Sequence, residues 1–117
     1  MNAAVVEARR AVPPLKDPQL FRDRCFIDGQ WVDADSKKRV DVDNPADATI
    51  VGSVPDCGAA ETRRAIEAAA KALPAWRALT AKDRSAVLRK WFDLMVANAD
   101  DLAAILTAEQ GKPLAEA

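Results

Sequence analysis

Histidine does not occur among the 117 residues, which excludes a His-based catalytic triad and a histidine general base. Cysteine is scarce: Cys25 and Cys57 stand well apart, too few for the four N or S ligands of a structural zinc site. Free thiols in a reducing compartment are the expectation for both. Glycine occurs four times, at Gly29, Gly52, Gly58 and Gly111, too scattered for a Walker loop or a G-x-G-x-x-G turn. No apolar run approaches the roughly 20 residues that span a bilayer. Residues 1–14 have no h-region of a secretory signal. Arg9 and Arg10 follow small residues, as in a mitochondrial presequence, but Glu7 and the lack of serine argue against one. Neither charge sign dominates, with 17 Lys and Arg against 18 Asp and Glu, so no electrostatic pull toward nucleic acid or an acidic membrane arises. A soluble, cytoplasmic chain is expected. Large aliphatic side chains are also few. Leu, Ile, Val and Phe make up 26 residues, or 22%, against 25 alanines. That proportion lies near the lower limit for burying a core, and it suggests helices packed closely against something outside the chain.

What is there divides into strands and then helices. Residues 1–16 read as a mobile tail, followed by a short helical start at Asp17-Pro18. Asp28-Gly29 between Phe26-Ile27 and Trp31-Val32 predicts a tight hairpin, because both central positions of that turn need positive φ. Arg39-Val40-Asp41-Val42-Asp43 alternates like a half-exposed strand and ends at Asn44-Pro45. Residues 50–54 read as another strand, stopped by Pro55. The Lys37-Lys38-Arg39 run reads as a solvated turn. Residues 58–73 predict a helix with Thr62, Ile66, Ala69, Ala70 and Leu73 on its apolar face, ended by Pro74. Glu67 and Lys71 stand at the favourable i,i+4 spacing on the other face. Thr80 and Asp83 resemble a capping box, opening a second helix with Val87, Leu88, Trp91, Leu94 and Met95 on one face. A third helix runs from about residue 100 to 110 and stops at Gly111, and Pro113 suits the first turn of another. A chain that stops in a new helical turn reads as the front part of something larger.

Candidate sites are few. Cys57 lies ahead of a helix, where amide dipoles can lower a thiol pKa, but no base lies near in sequence and a partly buried thiol is the plainer reading. Cys25 reads as a small apolar residue. Glu109 falls on the apolar face of the third helix with Leu102, Ile105 and Leu106. It reads either as a carboxylic acid of raised pKa or as a structural carboxylate held by backbone amides, Arg84 or Arg89, and the structural reading is preferred. Lys112, just past the helix end, suits the helix dipole rather than a phosphate. Trp31, Trp76 and Trp91 read as packing residues, each with one acceptor for its indole N–H.

These residues assemble into a family pattern. Ile27-x-Gly29-x-Trp31, Asn44-Pro45, Pro74-Ala75-Trp76, Arg84-x-x-x-Leu88-x-Lys90 and Glu109-x-Gly111-Lys112-Pro113 occur in the order and spacing that resemble the start of the aldehyde dehydrogenase superfamily. The runs 73–82 and 109–117, with 17–22, look most like succinate-semialdehyde dehydrogenases. The resemblance implies an α/β parent with a Rossmann-type cofactor domain and a catalytic domain, in which residues 17–117 form the N-terminal part of the cofactor domain. It also implies oxidation of succinate semialdehyde to succinate with NAD or NADP, in a homo-oligomer acting on a small aldehyde. In such enzymes a cysteine attacks the carbonyl, amide donors hold the oxyanion, hydride passes to the nicotinamide, and water helped by a glutamate releases the acid. Those groups belong to motifs beyond residue 117. None carries over onto Cys25, Cys57, Glu109 or Lys112, so no residue here is assigned as catalytic, cofactor-binding or metal-ligating, and the chain alone is expected to be inactive. The alternative is a short non-catalytic protein that docks on a dehydrogenase or another partner through its Trp- and Ala-rich helices.

Overall fold

The computed structural model describes residues 11–117. The first ten residues of the expected tail lie outside them. The rest of that segment is attached to the fold: the Ala11 N–H donates to the Ile50 carbonyl at 2.9 Å, and the Lys16 N–H donates to Asp101 at 2.9 Å. A single 3-10 turn follows at Pro18–Leu20, capped by Asp17, whose carboxylate accepts from the Gln19 N–H.

Among the described residues four strands form two separate antiparallel pairs. β1 (Cys25–Ile27) pairs with β2 (Gln30–Val32), and β3 (Arg39–Asp43) pairs with β4 (Ile50–Pro55). Asp28 (φ 51°) and Gly29 (φ 76°) both occupy the left-handed region, as the Asp-Gly signal requires. The β3–β4 ladder carries an irregularity between Val42 and Asp43, just before the Asn44-Pro45 turn. Lys37 and Lys38 are exposed just past the Asp35-Ser36 turn, as the solvated reading expects, and Arg39 is exposed too but tied down. It opens β3, and its guanidinium donates to the carbonyls of Asp23 and Ser53, both at 2.7 Å, and to Asp33 at 2.9 Å.

Three helices follow among the described residues: α1 (Ala59–Ala78), α2 (Ala81–Ala97) and α3 (Ala99–Gln110). The elements are therefore the expected strands followed by helices of an α/β fragment. α1 runs past its predicted stop, with Pro74 inside it. Proline removes one donor and crowds the carbonyl four residues back. Ala70 is exposed, so water can take up that carbonyl. The face turned inward also differs from the one predicted: Glu61, Ala65 and Ala68 are the covered positions, while Ile66 is 64% and Leu73 53% exposed. Glu67 and Lys71 do not close an ion pair among the described residues. α2 begins as expected, with Thr80 Oγ accepting from the Asp83 N–H. α3 ends at Gly111, whose φ of 77° forms the left-handed cap and whose N–H donates to the Thr107 carbonyl at 2.9 Å. After Pro113 the chain makes one turn.

Burial is sparse and unusual. Among the described residues the buried apolar side chains are Ala34, Val51 and Pro55, and two carboxylates, Glu61 and Asp101, are buried to nearly the same degree at 5% and 6% exposure. The radius of gyration is 18.2 Å with extents of 68 × 37 × 20 Å, against about 13 Å for a compact domain of this length. Val87, Leu88, Trp91, Phe92, Leu94 and Met95 of α2 are all at least half exposed.

Candidate functional site

The first cluster lies where the base of α1 meets the first hairpin. Glu61 stands three residues after the helix-capping Gly58, a spacing that lets its side chain fold back over the first turn. Its Oε2 accepts from the Gly58 N–H at 3.0 Å, and its Oε1 accepts from the Asp35 N–H at 2.7 Å. The donors from Asp35 and from α1 itself hold the Glu61 carboxyl below the usual carboxylate range. Arg64, one turn on, closes a bidentate pair with Asp35 at 2.8 and 2.9 Å, and that hydrogen-bonded guanidinium lowers the Asp35 pKa. One turn of α1 thus grips the loop between β2 and β3 through two carboxylates.

Cys57 sits in the same cluster, its Sγ 3.6 Å from the Sγ of Cys25 on β1. Burial, reinforced by Cys25, pushes the Cys57 thiol up to about 11. The lowering by helix amides that would make a nucleophile is not found, and the Gly58 amide is taken by Glu61. Both thiols are free and half-buried.

The second cluster joins the start of the described chain to α3. Asp101 accepts from the backbone N–H of Lys16 at 2.9 Å and of Asp17 at 2.8 Å, and the two amides hold its carboxyl low. Beside it the Lys16 ammonium meets Asp100 at 2.7 Å on the surface. A shallow cleft opens nearby between Phe21, Val42, Val51, Gly52 and Ile105, with Glu109 at its edge. A Cβ at Gly52 would stand 3.1 Å from the Phe21 ring, which would have to give by a few tenths of an ångström to admit it.

Several sequence readings change here. Glu109 is exposed and makes no hydrogen bond to a backbone amide, Arg84 or Arg89 among the described residues. The buried carboxylates are Glu61 and Asp101, which sequence reasoning passed over. Glu61 carried a readable signal, the Gly58-x-x-Glu61 spacing at a helix start. Asp101 carried none, because its donors lie 84 and 85 positions away. None of the tryptophans is in the core. Trp31 lies on the surface against Phe26, with ring centroids 5.0 Å apart, and under the Arg22 guanidinium, while Trp91 is 63% exposed. Their indole N–H groups have no protein acceptor among the described residues. Lys112 follows the α3 cap and is half-buried.

The residues present do not fit a dinucleotide. A pyrophosphate seeks the free amides of a helix N-terminus. The α1 N-terminus already holds the Glu61 carboxylate, that of α2 carries Asp83 against Thr80, and that of α3 carries Asp100 and Asp101. Nor does any group of three or more His, Cys, Asp or Glu converge as a metal site among the described residues. What both clusters do is fasten segments distant in sequence.

Residues 31–117 match the aldehyde dehydrogenase family. The chain is 67% identical over 103 residues to a glutarate-semialdehyde dehydrogenase of Pseudomonas aeruginosa, covering 88% of this chain and 21% of that protein. It is 58% identical over the same length to the NADP(+) succinate-semialdehyde dehydrogenase of Escherichia coli K12, again covering 88% and 21%. The crystal structure of a succinate-semialdehyde dehydrogenase from Burkholderia pseudomallei superposes with a TM-score of 0.85 at 58% identity, over 87% of this chain and 21% of that one. The chain thus spans about a fifth of the length of the relatives it matches. With the hairpin, the two clips and the helix order in place, it belongs to the aldehyde dehydrogenase family.

Proposed function

We propose that this chain is the opening scaffold of an NAD(P)-dependent dehydrogenase that oxidises a short aldehyde bearing a carboxylate at its far end, succinate semialdehyde or glutarate semialdehyde. The carrying observation is identity of 58–67% over 103 residues to two proteins named for those substrates. The geometry supports a bracing role for residues 17–117, as the N-terminal part of a cofactor domain. Glu61 and Asp101 accept from backbone amides, Arg39 is taken up by the carbonyls of Asp23 and Ser53 and by neighbouring side chains, and the helix N-termini carry their own carboxylates. On this reading no residue of the chain touches substrate or cofactor, and nicotinamide binding, hydride transfer and acyl release belong to other parts of the enzyme. The exposed faces of α1 and α2 are then covered by those parts, in a cytoplasmic homo-oligomer. Among the described residues no helix is long and apolar enough to cross a membrane.

The test is a chimera in which this chain replaces the matching segment of the Escherichia coli enzyme. It should keep NADP-dependent oxidation of succinate semialdehyde within about tenfold, about 1.4 kcal/mol in the barrier, read from formation of reduced cofactor. The chain alone should give none. A chimera that folds and assembles yet is inactive refutes the scaffold reading, as does turnover by the purified chain.

A further inference from the structure

The fold brings together the two cysteines that the sequence sets far apart. Cys25 opens β1, and Cys57 immediately precedes Gly58, the cap of α1. Their sulfurs stand 3.6 Å apart with no third Cys, Asp or Glu completing a metal site among the described residues. Two thiols fall short of the four ligands a structural zinc requires. What a thiol pair at contact distance can do is exchange with a disulfide. Bond formation needs the sulfurs to close to about 2.05 Å, a movement of about 1.5 Å within reach of side-chain rotation.

We propose that Cys25 and Cys57 form a thiol–disulfide site whose oxidant is a low-molecular-weight disulfide of the glutathione class. Cys25 attacks one sulfur of the oxidant, forming a mixed disulfide and expelling the first small thiol. Cys57 then attacks the Cys25 sulfur, forming the Cys25–Cys57 bond and expelling the second. Two protein thiols lose two electrons, and the oxidant is reduced to two thiols that carry the two protons. Cys57, whose thiol burial holds in the protonated form, gives its proton to the departing small thiolate as its sulfur attacks Cys25. Both sulfurs are half-buried, so the oxidant has access while the pair stays ordered. The bond would enclose residues 26–56, both hairpins, in one covalent ring anchored at the base of α1. This inference is independent of the dehydrogenase reading.

The experiment treats the reduced full chain with oxidised glutathione. Intact mass should fall by two hydrogen atoms, both thiols should be lost to a colorimetric thiol reagent, and peptide mapping should give a Cys25–Cys57 cross-link within one chain. The midpoint of thermal unfolding should rise by about 5 °C or more. Cys57→Ser should instead trap one glutathione on Cys25. Two separate glutathione adducts on the wild-type chain, disulfide-linked dimers, or no reaction under conditions that oxidise a free dithiol would each overturn the proposal. The wild-type result decides the matter even where a serine variant fails to fold.

Discussion

Gly111 and Gly29 share a backbone conformation, φ 77° and 76°, but not an environment, and this pair allows a quantitative test. Alanine in the left-handed region costs about 1 kcal/mol at either site. At Gly29 nothing lies within 4 Å of an added Cβ, so that term stands alone. At Gly111 the new Cβ would stand 2.8 Å from Cγ of Pro45, closer than atoms tolerate, whereas Pro45 Cβ lies at an ordinary 3.8 Å. Overpacking of this kind adds about 1–3 kcal/mol. Gly29→Ala should therefore destabilise by about 1 kcal/mol and Gly111→Ala by about 3 kcal/mol. Pro45→Ala removes Cγ and leaves Cβ, so in the double variant Gly111→Ala should cost no more than Gly29→Ala does. The coupling energy of that cycle should be about 2 kcal/mol. Equilibrium urea unfolding followed by far-UV circular dichroism reads it, in a fixed concentration of a stabilising osmolyte that lifts the whole curve. With a slope of about 1.5 kcal/mol per molar, the two single variants separate by about 1.3 M in midpoint. Equal costs at the two glycines, or no rescue by Pro45→Ala, would refute the claim that the α3 cap is seated on the Asn44-Pro45 turn.

Glu61 and Asp101 have folded pKa values below their unfolded ones, so the stability they contribute is present above the ordinary carboxylate range of about 4. It is lost as pH falls through the depressed folded values. The acid limb of a stability–pH profile should flatten in Glu61→Gln and again in Asp101→Asn, and an unchanged limb in both would dismiss the clips. Val87→Gln, Trp91→Gln and Leu94→Gln on the exposed face of α2 should each alter the chain's own stability by no more than about 0.5 kcal/mol. The same changes in the chimera should abolish assembly, seen by size-exclusion chromatography, so large losses in the chain alone would mean that this face is covered within it.

Local chemistry made much of the fold readable. Asp28-Gly29, Thr80 with Asp83, and Gly111 each act through their own backbone, and each stands where its local rule put it. The misreadings share one cause. Periodicity marks which positions of α1 are apolar but not what lies against them. Here Ala65 and Ala68 are the half-covered alanines, Ala68 beside Ile27 and Asp28 of the hairpin, while Ile66 and Leu73 face outward. Proline removes a hydrogen bond and so predicts a stop at Pro74, yet α1 continues to Ala78 with Ala70, four residues back, open to solvent. Glu109 drew attention for its place on an apolar stripe, while Asp101, eight positions earlier on the same helix, held the chain together through amides that no local pattern reveals.

The Asp101 clip also sets a schedule. The amides of Lys16 and Asp17 are among the first described groups to leave the ribosome, and their carboxylate follows 84 residues later. At about 5–20 residues per second, they wait roughly 4–17 s for it. Through that interval Phe21, Val51 and the strands around them have no α3 to close against. The segments that carry Lys16 and Asp101 are thus joined late, by a contact of long loop closure, and until then the apolar surface around Phe21 and Val51 stays open to water.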